Sequence, residues 1–305
     1  MGTYILKRVL WLIPVVFAVS AITFTLMHMV PGGPWSSERA VSPGVQAKIN
    51  KQYGLDKPIP LQYVDWVVSL AQGDFGPSFR YADRSVNAII ADGLPKSIQL
   101  GVMAFIVAVA LGIPLGVFAA LGHNKAPDYA ATGISIIGIA TPSFVLAILL
   151  VVLFSVVLKW FPTGGWKGPE TWVLPVIALA GYQVAVIARY TRASMLEVTR
   201  KDYIRTAQSK GLRSRAVVTR HMLRNALIPV VTILGPIFAF LVTGSFIIET
   251  FFGIPGIGRY YVQGIAGRDY GMIMATTVIF ALAVAVLNVI VDVLYAFIDP
   301  RIRYS

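Results

Sequence analysis

Few side chains in this sequence have the chemistry to catalyse a reaction, and those that do stand apart from one another. In or beside the long apolar stretches the ionisable groups are His28, Glu249 and Asp292. A carboxylate that shuttles protons or binds an ion inside a membrane is expected near the midplane with a partner, whereas Glu249 and Asp292 each fall near one end of an apolar run. Asp292, with Asn288 one turn away, is expected to make a salt bridge or a helix-end contact with an arginine. His28 is expected to be interfacial. The sequence contains no HExxH, no GxSxG and no GxxxxGK[ST], and no strand precedes the glycines of Glu249 to Gly271. There is no cysteine, which excludes disulfides, thiolate catalysis and cysteine-ligated metals. No enzymatic activity, bound ATP or cofactor of its own is expected of this chain.

The charge is concentrated instead between Glu197 and Pro229, EVTRKDYIRTAQSKGLRSRAVVTRHMLRNALIP. Tyr203, Ile204, Ala207 and Gly211 recur at three and four residues, the spacing of one helix face, with Arg205 and Lys210 on other faces. Gly211 breaks the pattern. Ser214 is placed to cap a second short helix, Val217, Val218, His221 and Met222 supply its apolar stripe, and Pro229 is expected to stop or kink it. Helices this short are marginal in water without packing, so the chemistry of this stretch is that of contact, and a partner surface is implied.

The elements that must carry this stretch follow from composition. Mean hydropathy is +0.72, 56% of residues are apolar and 13% are charged, values of an integral membrane protein. The net charge of +12 then reads as loops facing anionic lipid rather than nucleic acid. Six apolar runs are long enough to cross about 30 Å of hydrocarbon. They are Val9 to Val30, Ile98 to Leu121, Gly133 to Leu158, Trp172 to Ala188, Leu227 to Ile248 and Met272 to Ile298. The first follows Lys7 and Arg8 like a signal peptide, but its length and the absence of a small-x-small cleavage site make it an uncleaved span.

Residues 31–97 are too polar to span. Leu61, Val64, Val67, Val68 and Leu70, beside Tyr63 and Trp66, form one amphipathic helix, and Val86, Ile89 and Ile90 mark a second leading into the next span. This segment is expected to cap the outer mouth of the bundle. Gly112 and Gly116 are a small-xxx-small pair that lets helices approach. The loop from Glu249 to Gly271, rich in glycine and aromatic residues, is expected to be turned, re-entrant or superficial. Six spans place both termini on one side. With that side cytoplasmic, fifteen of the twenty-six lysines and arginines fall inside, ten of them between Arg189 and Arg224.

At this point the motifs resemble a known family, the membrane permease subunits of ATP-binding-cassette importers in the dipeptide, oligopeptide and nickel branch. RTAQSKG, Arg205 to Gly211, is similar to the cytoplasmic motif of such permeases, in which two small residues are followed four positions later by glycine. Arg205 stands where many permeases carry glutamate. YILKRVLWLIPVVF, GLDKPIPLQY, GDFGPS, LPKSIQLG, RHMLRNALIPV and IETFFGIPGIGR with its trailing RDY extend the likeness along nearly the whole chain.

The resemblance implies an all-α fold of six transmembrane helices with a cytoplasmic coupling-helix loop, the type I importer permease fold. It implies a single permease domain over 1–305, with 31–97 extracytoplasmic, 189–227 forming the cytoplasmic coupling loop, and both termini in the cytoplasm of a bacterial or archaeal cell. The coupling helix would lie within Lys201 to Arg213 and dock in a groove of an ATPase subunit. There Tyr203, Ile204 and Ala207 would offer an apolar face, Arg205, Lys210 and Arg213 steering charge, and Gly211 close approach. Lys201, Asp202, Thr206 and Leu212 complete the docking set. Implied partners are a second homologous permease, two cytoplasmic subunits that hold ATP and Mg, an extracytoplasmic substrate-binding protein, and lipid. The implied cargo is a di- or oligopeptide, with nickel chelates, glutathione or oligosaccharides as alternatives. A helix-turn-helix reading of the basic stretch lacks a third helix, and an ion-coupled carrier lacks midplane charges and paired broken helices.

Overall fold

The computed structural model describes residues 2–31, 47, 50, 51, 54–81 and 84–298 and, of residues 2–5, 9 and 292–298, the backbone only. The contact expected of Asp292 therefore lies outside the described side chains. Among the described residues eleven named helices follow one another: α1 (Gly2–Met29), α2 (Ile59–Ala71), α3 (Val86–Leu121), α4 (Ala126–Ala140) and α5 (Ser143–Leu150, continued as π-helix over Val151–Val157). Then come α6 (Pro169–Thr199), α7 (Asp202–Ser209) and α8, which combines Ser214–Ala216, a π-helical Val217–Met222 and Leu223–Val242. α9 (Phe246–Phe251), α10 (Ile257–Ala266) and α11 (Tyr270–Ile298) complete the order. Among the described residues no strand forms beyond a single bridge between Pro77 and Ser85.

Among the described residues five helices are long and apolar enough to cross a membrane, and α4 with α5, bent by 108° at their junction, brings the number to six when the pair is taken as one span. The expected span over Gly133 to Leu158 is thus a pair of helices with a break inside it. Pro142 has no N–H to donate and pushes the preceding Thr141 into an extended conformation, φ −91° and ψ 116°, so the helix breaks there. The pair still runs from one end of the bundle to the other. Asp128 at its start is held by Arg192 near the end of α6, whereas Gly165 beyond it donates to the carbonyl of Phe252 at the opposite end. Elsewhere proline sits inside continuous helices, at Pro14, Pro95, Pro114, Pro175, Pro229 and Pro236. Pro229 therefore does not stop its helix, because packing in the bundle retains helical geometry around the lost hydrogen bond.

Two further boundaries differ from expectation. Val86, Ile89 and Ile90 open α3 itself rather than a separate interfacial helix, with the Ser85 hydroxyl accepting from Ala88 N–H as the cap. The second helix of the basic stretch is entered through Arg213, and Ser214 is its first residue and provides no side-chain cap.

α6 is the axis of the bundle and the most buried of the spans. It packs along α3 through small residues: a Cβ on Gly112 would lie 2.8 Å from Ile187, and one on Gly116 2.6 Å from Thr191. The small-xxx-small pair thus sets a close helix contact of the core, which continues through Ala104, Ala108, Ala178, Leu174 and Leu241. Outward faces carry large apolar side chains such as Trp11, Phe118 and Ile137, each more than half exposed, as a bundle surrounded by hydrocarbon requires. α1 is held through α2 and α11. Tyr63 shares a hydrogen bond with Ser20, and His28, bonded to the carbonyl of Phe24 at 2.8 Å, lies between the Phe24 and Tyr270 rings.

Candidate functional site

The helical ends of α6 and α8 extend into 189–227, so residues 200–213 alone connect them, and α7 occupies most of that connection. α7 begins after Lys201 in extended conformation and carries Asp202 in its first turn, where a negative charge suits the helix dipole. It closes through Gly211, whose φ of +72° is the left-handed conformation that glycine adopts without penalty. A Cβ on Gly211 would meet nothing within 4 Å. Within the chain, then, this glycine serves the turn rather than a close approach.

The helix face is divided in a way that periodicity alone does not settle. Ile204 and Ala207 are buried, packed with Ala120 of α3, Met195 and Val198 of α6, and Val217, Met222 and Ala226 of α8. Their apolar face is therefore filled by this chain and is not offered to a partner, contrary to the expectation above. Tyr203 and Leu212 remain outward, at 42% and 43% exposure, with Arg205, Thr206, Lys210, Gly211 and Arg213 also exposed. Lys201 pairs with Glu197 at 3.1 Å and Arg205 with Asp202 at 3.9 Å, exposed contacts that contribute little stability and leave the surface cationic. The arrangement has mechanical meaning. A push on Tyr203 or Leu212 reaches, through Ile204 and Ala207, the ends of three spans at once.

Above this loop, Asp128 is 3% exposed and receives Arg192 through both Nε (2.5 Å) and a terminal nitrogen (2.8 Å), together with Asn124 N–H at 2.9 Å. This bidentate pair ties the turn between α3 and α4 to α6. No local pattern signals it, because Asp128 and Arg192 are 64 positions apart and each reads as an ordinary loop charge.

At the far end of the bundle, two motifs of unassigned role meet. Asp269 of RDY is fully buried and accepts from the Ser78 hydroxyl and Phe79 N–H (3.1 Å) of the GDFGPS loop and from Met272 N–H (3.2 Å) in the first turn of α11. Glu249 is also fully buried and accepts from Gly258 N–H at 2.8 Å and Arg259 N–H at 3.3 Å, capping α10, while Ser97 accepts from Ile257 N–H at 3.0 Å. The Glu249 to Gly271 loop is thereby two short helices latched to α3. Both acids hold backbone N–H groups. Among the described residues no cluster of three metal-ligating side chains occurs.

Comparison with known proteins places this geometry. Residues 112–304 match the family model of the binding-protein-dependent transport system inner membrane component, and residues 1–101 match that of its N-terminal region. The oligopeptide transport system permease protein OppB of Escherichia coli K12 is 46% identical over 303 residues, covering 99% of both chains. The dipeptide transport system permease protein DppB of Bacillus subtilis is 44% identical, covering 99% of this chain and 98% of its own. Among solved structures, the MetNI methionine ABC transporter in an inward-facing conformation aligns with a TM-score of 0.58 at 16% identity, over 69% of this chain and 96% of the other. At that identity the likeness concerns the fold.

Proposed function

The chain belongs to the family of binding-protein-dependent transport system inner membrane components, and from that premise we propose that it is the permease subunit of an ATP-driven importer of peptides. It is a multi-pass protein of the inner membrane and a transport subunit rather than an enzyme. It forms half of the path and a homologous permease forms the other half. Two cytoplasmic ATPase subunits, which bind ATP and Mg, sit against the α7 end, and an extracytoplasmic binding protein delivers the solute to the end carrying Ser78 and Asp269. Six crossings and the basic residues around α7 support cytoplasmic termini.

The observation that carries the reading is the division of α7. Its outward residues, Tyr203, Arg205, Lys210 and Leu212, suit a helix-in-groove contact with steering charge, while its inward residues are keyed into α3, α6 and α8. Closure of the ATPase pair on ATP moves α7, and the bundle tilts between outward- and inward-open arrangements. The chemistry of hydrolysis stays in the partner.

The test is assembly. Tyr203→Ala together with Leu212→Asp should reduce co-purification with the ATPase subunits and peptide-stimulated ATP hydrolysis at least tenfold, with the melting temperature of the isolated chain unchanged. Full assembly and stimulation by that variant would remove the docking assignment. Competition of peptide uptake by dipeptides, longer peptides and nickel chelates decides the cargo.

A further inference from the structure

The break between α4 and α5 does more than interrupt a span. Beside it lies a cavity of about 670 Å³ lined by Thr141, Ser143, Tyr182, Gln183, Phe240 and Ser245 among others, none of its lining residues charged. A second cavity of about 730 Å³ shares Ile139, Tyr182 and Val186 with it and continues toward the α7 end past Arg189 to Arg192. The two form one groove along α6, walled by α4, α5 and α8.

Gln183 is the residue in this groove that the rest of the chain does not account for. It is 6% exposed, sits near the midpoint of α6, and makes no hydrogen bond among the described residues. Its amide atoms are not sealed in the core, as the unpartnered Thr191 Oγ1 and Trp172 Nε1 are, but open on the cavity, and the exchange of Gln183 for an apolar residue of the same size would strand no partner in the fold. The amide offers one acceptor and two donors, the complement of a peptide group. Thr141 and Ser143 bring more of the same kind. The break itself borders the same cavity: Thr141 N–H still donates to Ile137, the Pro142 carbonyl accepts from Val145 and Leu146 N–H, and helix ends of this kind leave other backbone groups without intrahelical partners. Polar backbone of this kind is tolerated at membrane depth where it lines a path.

We propose that Gln183, facing the broken helix at Thr141 to Ser143, is a transit site that binds the backbone of an extended peptide through its peptide groups. The inference rests on the peptide reading above and adds to it where, and by which atoms, the solute is held. Around Gln183 the wall is uncharged and backbone recognition there accepts peptides irrespective of side-chain charge, while charge enters the groove at Arg189 and Arg192 toward the α7 end.

The experiment uses the complete transporter in proteoliposomes, with trialanine and its analogue N-methylated at the central peptide bond as solutes. Wild type should import trialanine about tenfold faster, the worth of one well-placed hydrogen bond. Gln183→Leu should lower trialanine import by about the same factor, abolish the difference between the two solutes, and leave the melting temperature of the complex unchanged or raised. A variant that keeps the wild-type discrimination shows that the amide is merely hydrated and overturns the proposal. So does one that loses both solutes together with melting temperature, because the role is then structural. Import of neither solute by wild type, with ATP present, overturns the peptide reading itself and this inference with it.

Discussion

Ser78 donates its hydroxyl proton to the carboxylate of Asp269 across 191 positions of sequence, and both side chains are buried. The bond closes the end of the bundle remote from α7. It seats the loop after α2 on the first turn of α11, where Gly271 passes so close to Pro77 that a Cβ would lie 2.6 Å from its carbonyl oxygen.

Asp269→Ala removes the acceptor of the Ser78 hydroxyl and of the Phe79 and Met272 N–H groups and leaves them buried. A loss of about 3 kcal/mol is expected, against about 1 kcal/mol for Ser78→Ala, which leaves the carboxylate its backbone donors. Thermal melting in detergent checks the order. Equal losses for the two variants would mean that the hydroxyl, not the carboxylate, organises the site.

The Glu249 cap depends on glycines. A Cβ on Gly256 would lie 2.5 Å from Ser97 Oγ and 2.7 Å from Glu249 Cδ, so Gly256→Ala should cost about 2 kcal/mol through overpacking. Combining it with Glu249→Ala should recover part of that cost, since the crowding carboxylate is gone. A double-mutant cycle measures the recovery; strict additivity would show that the crowding lies elsewhere.

Ala207→Arg would test docking only if Ala207 faced outward. It lies 6% exposed in the cluster under α7. The prediction is that Ala207→Arg lowers the melting temperature of the chain before any partner is added, because a charge enters an apolar cluster. Gly211→Asn should be nearly neutral and Gly211→Ala should cost about 1 kcal/mol, since asparagine tolerates a positive φ better than alanine.

Asp128 and Arg192 are linked by two parallel contacts. Asp128→Ala should destabilise by about 2 kcal/mol, chiefly by removing the acceptor of the Asn124 N–H and of the Arg192 fork, since the guanidinium is itself 30% exposed. Arg192→Lys keeps the charge and loses the fork, for about half that amount. Limited proteolysis in the turn at His123 to Lys125 should accelerate in the same order; an Arg192→Lys variant as resistant as wild type would reduce the pair to a simple charge contact.

Much of the architecture follows from local composition. Runs such as Ile98 to Leu121 have no means of satisfying backbone in hydrocarbon except as helices, and the charge of Glu197 to Pro229 must stay outside it. The spans end later than hydropathy indicates, because a helix continues past the membrane wherever its end is packed. Arg189 to Thr199 remain in α6 for that reason, and Val217–Met222 continue α8 as a π-helix.

What the sequence by itself determined is the number of apolar runs, their helical nature and the family motifs, since each of these depends on residues close together in the chain. Which proline breaks a helix, which face of α7 is already filled, and which partner each buried acid finds were decided only by tertiary structure. Pro142 breaks its helix while Pro229 and Pro236 do not, although all three lie inside long apolar runs. Ile204 and Tyr203 are both apolar enough to dock, and it is the ends of α3, α6 and α8 that take one and leave the other. Burial is a property of the assembled bundle. For Gln183, with no partner in the chain around it, that burial is what gives an ordinary glutamine a role.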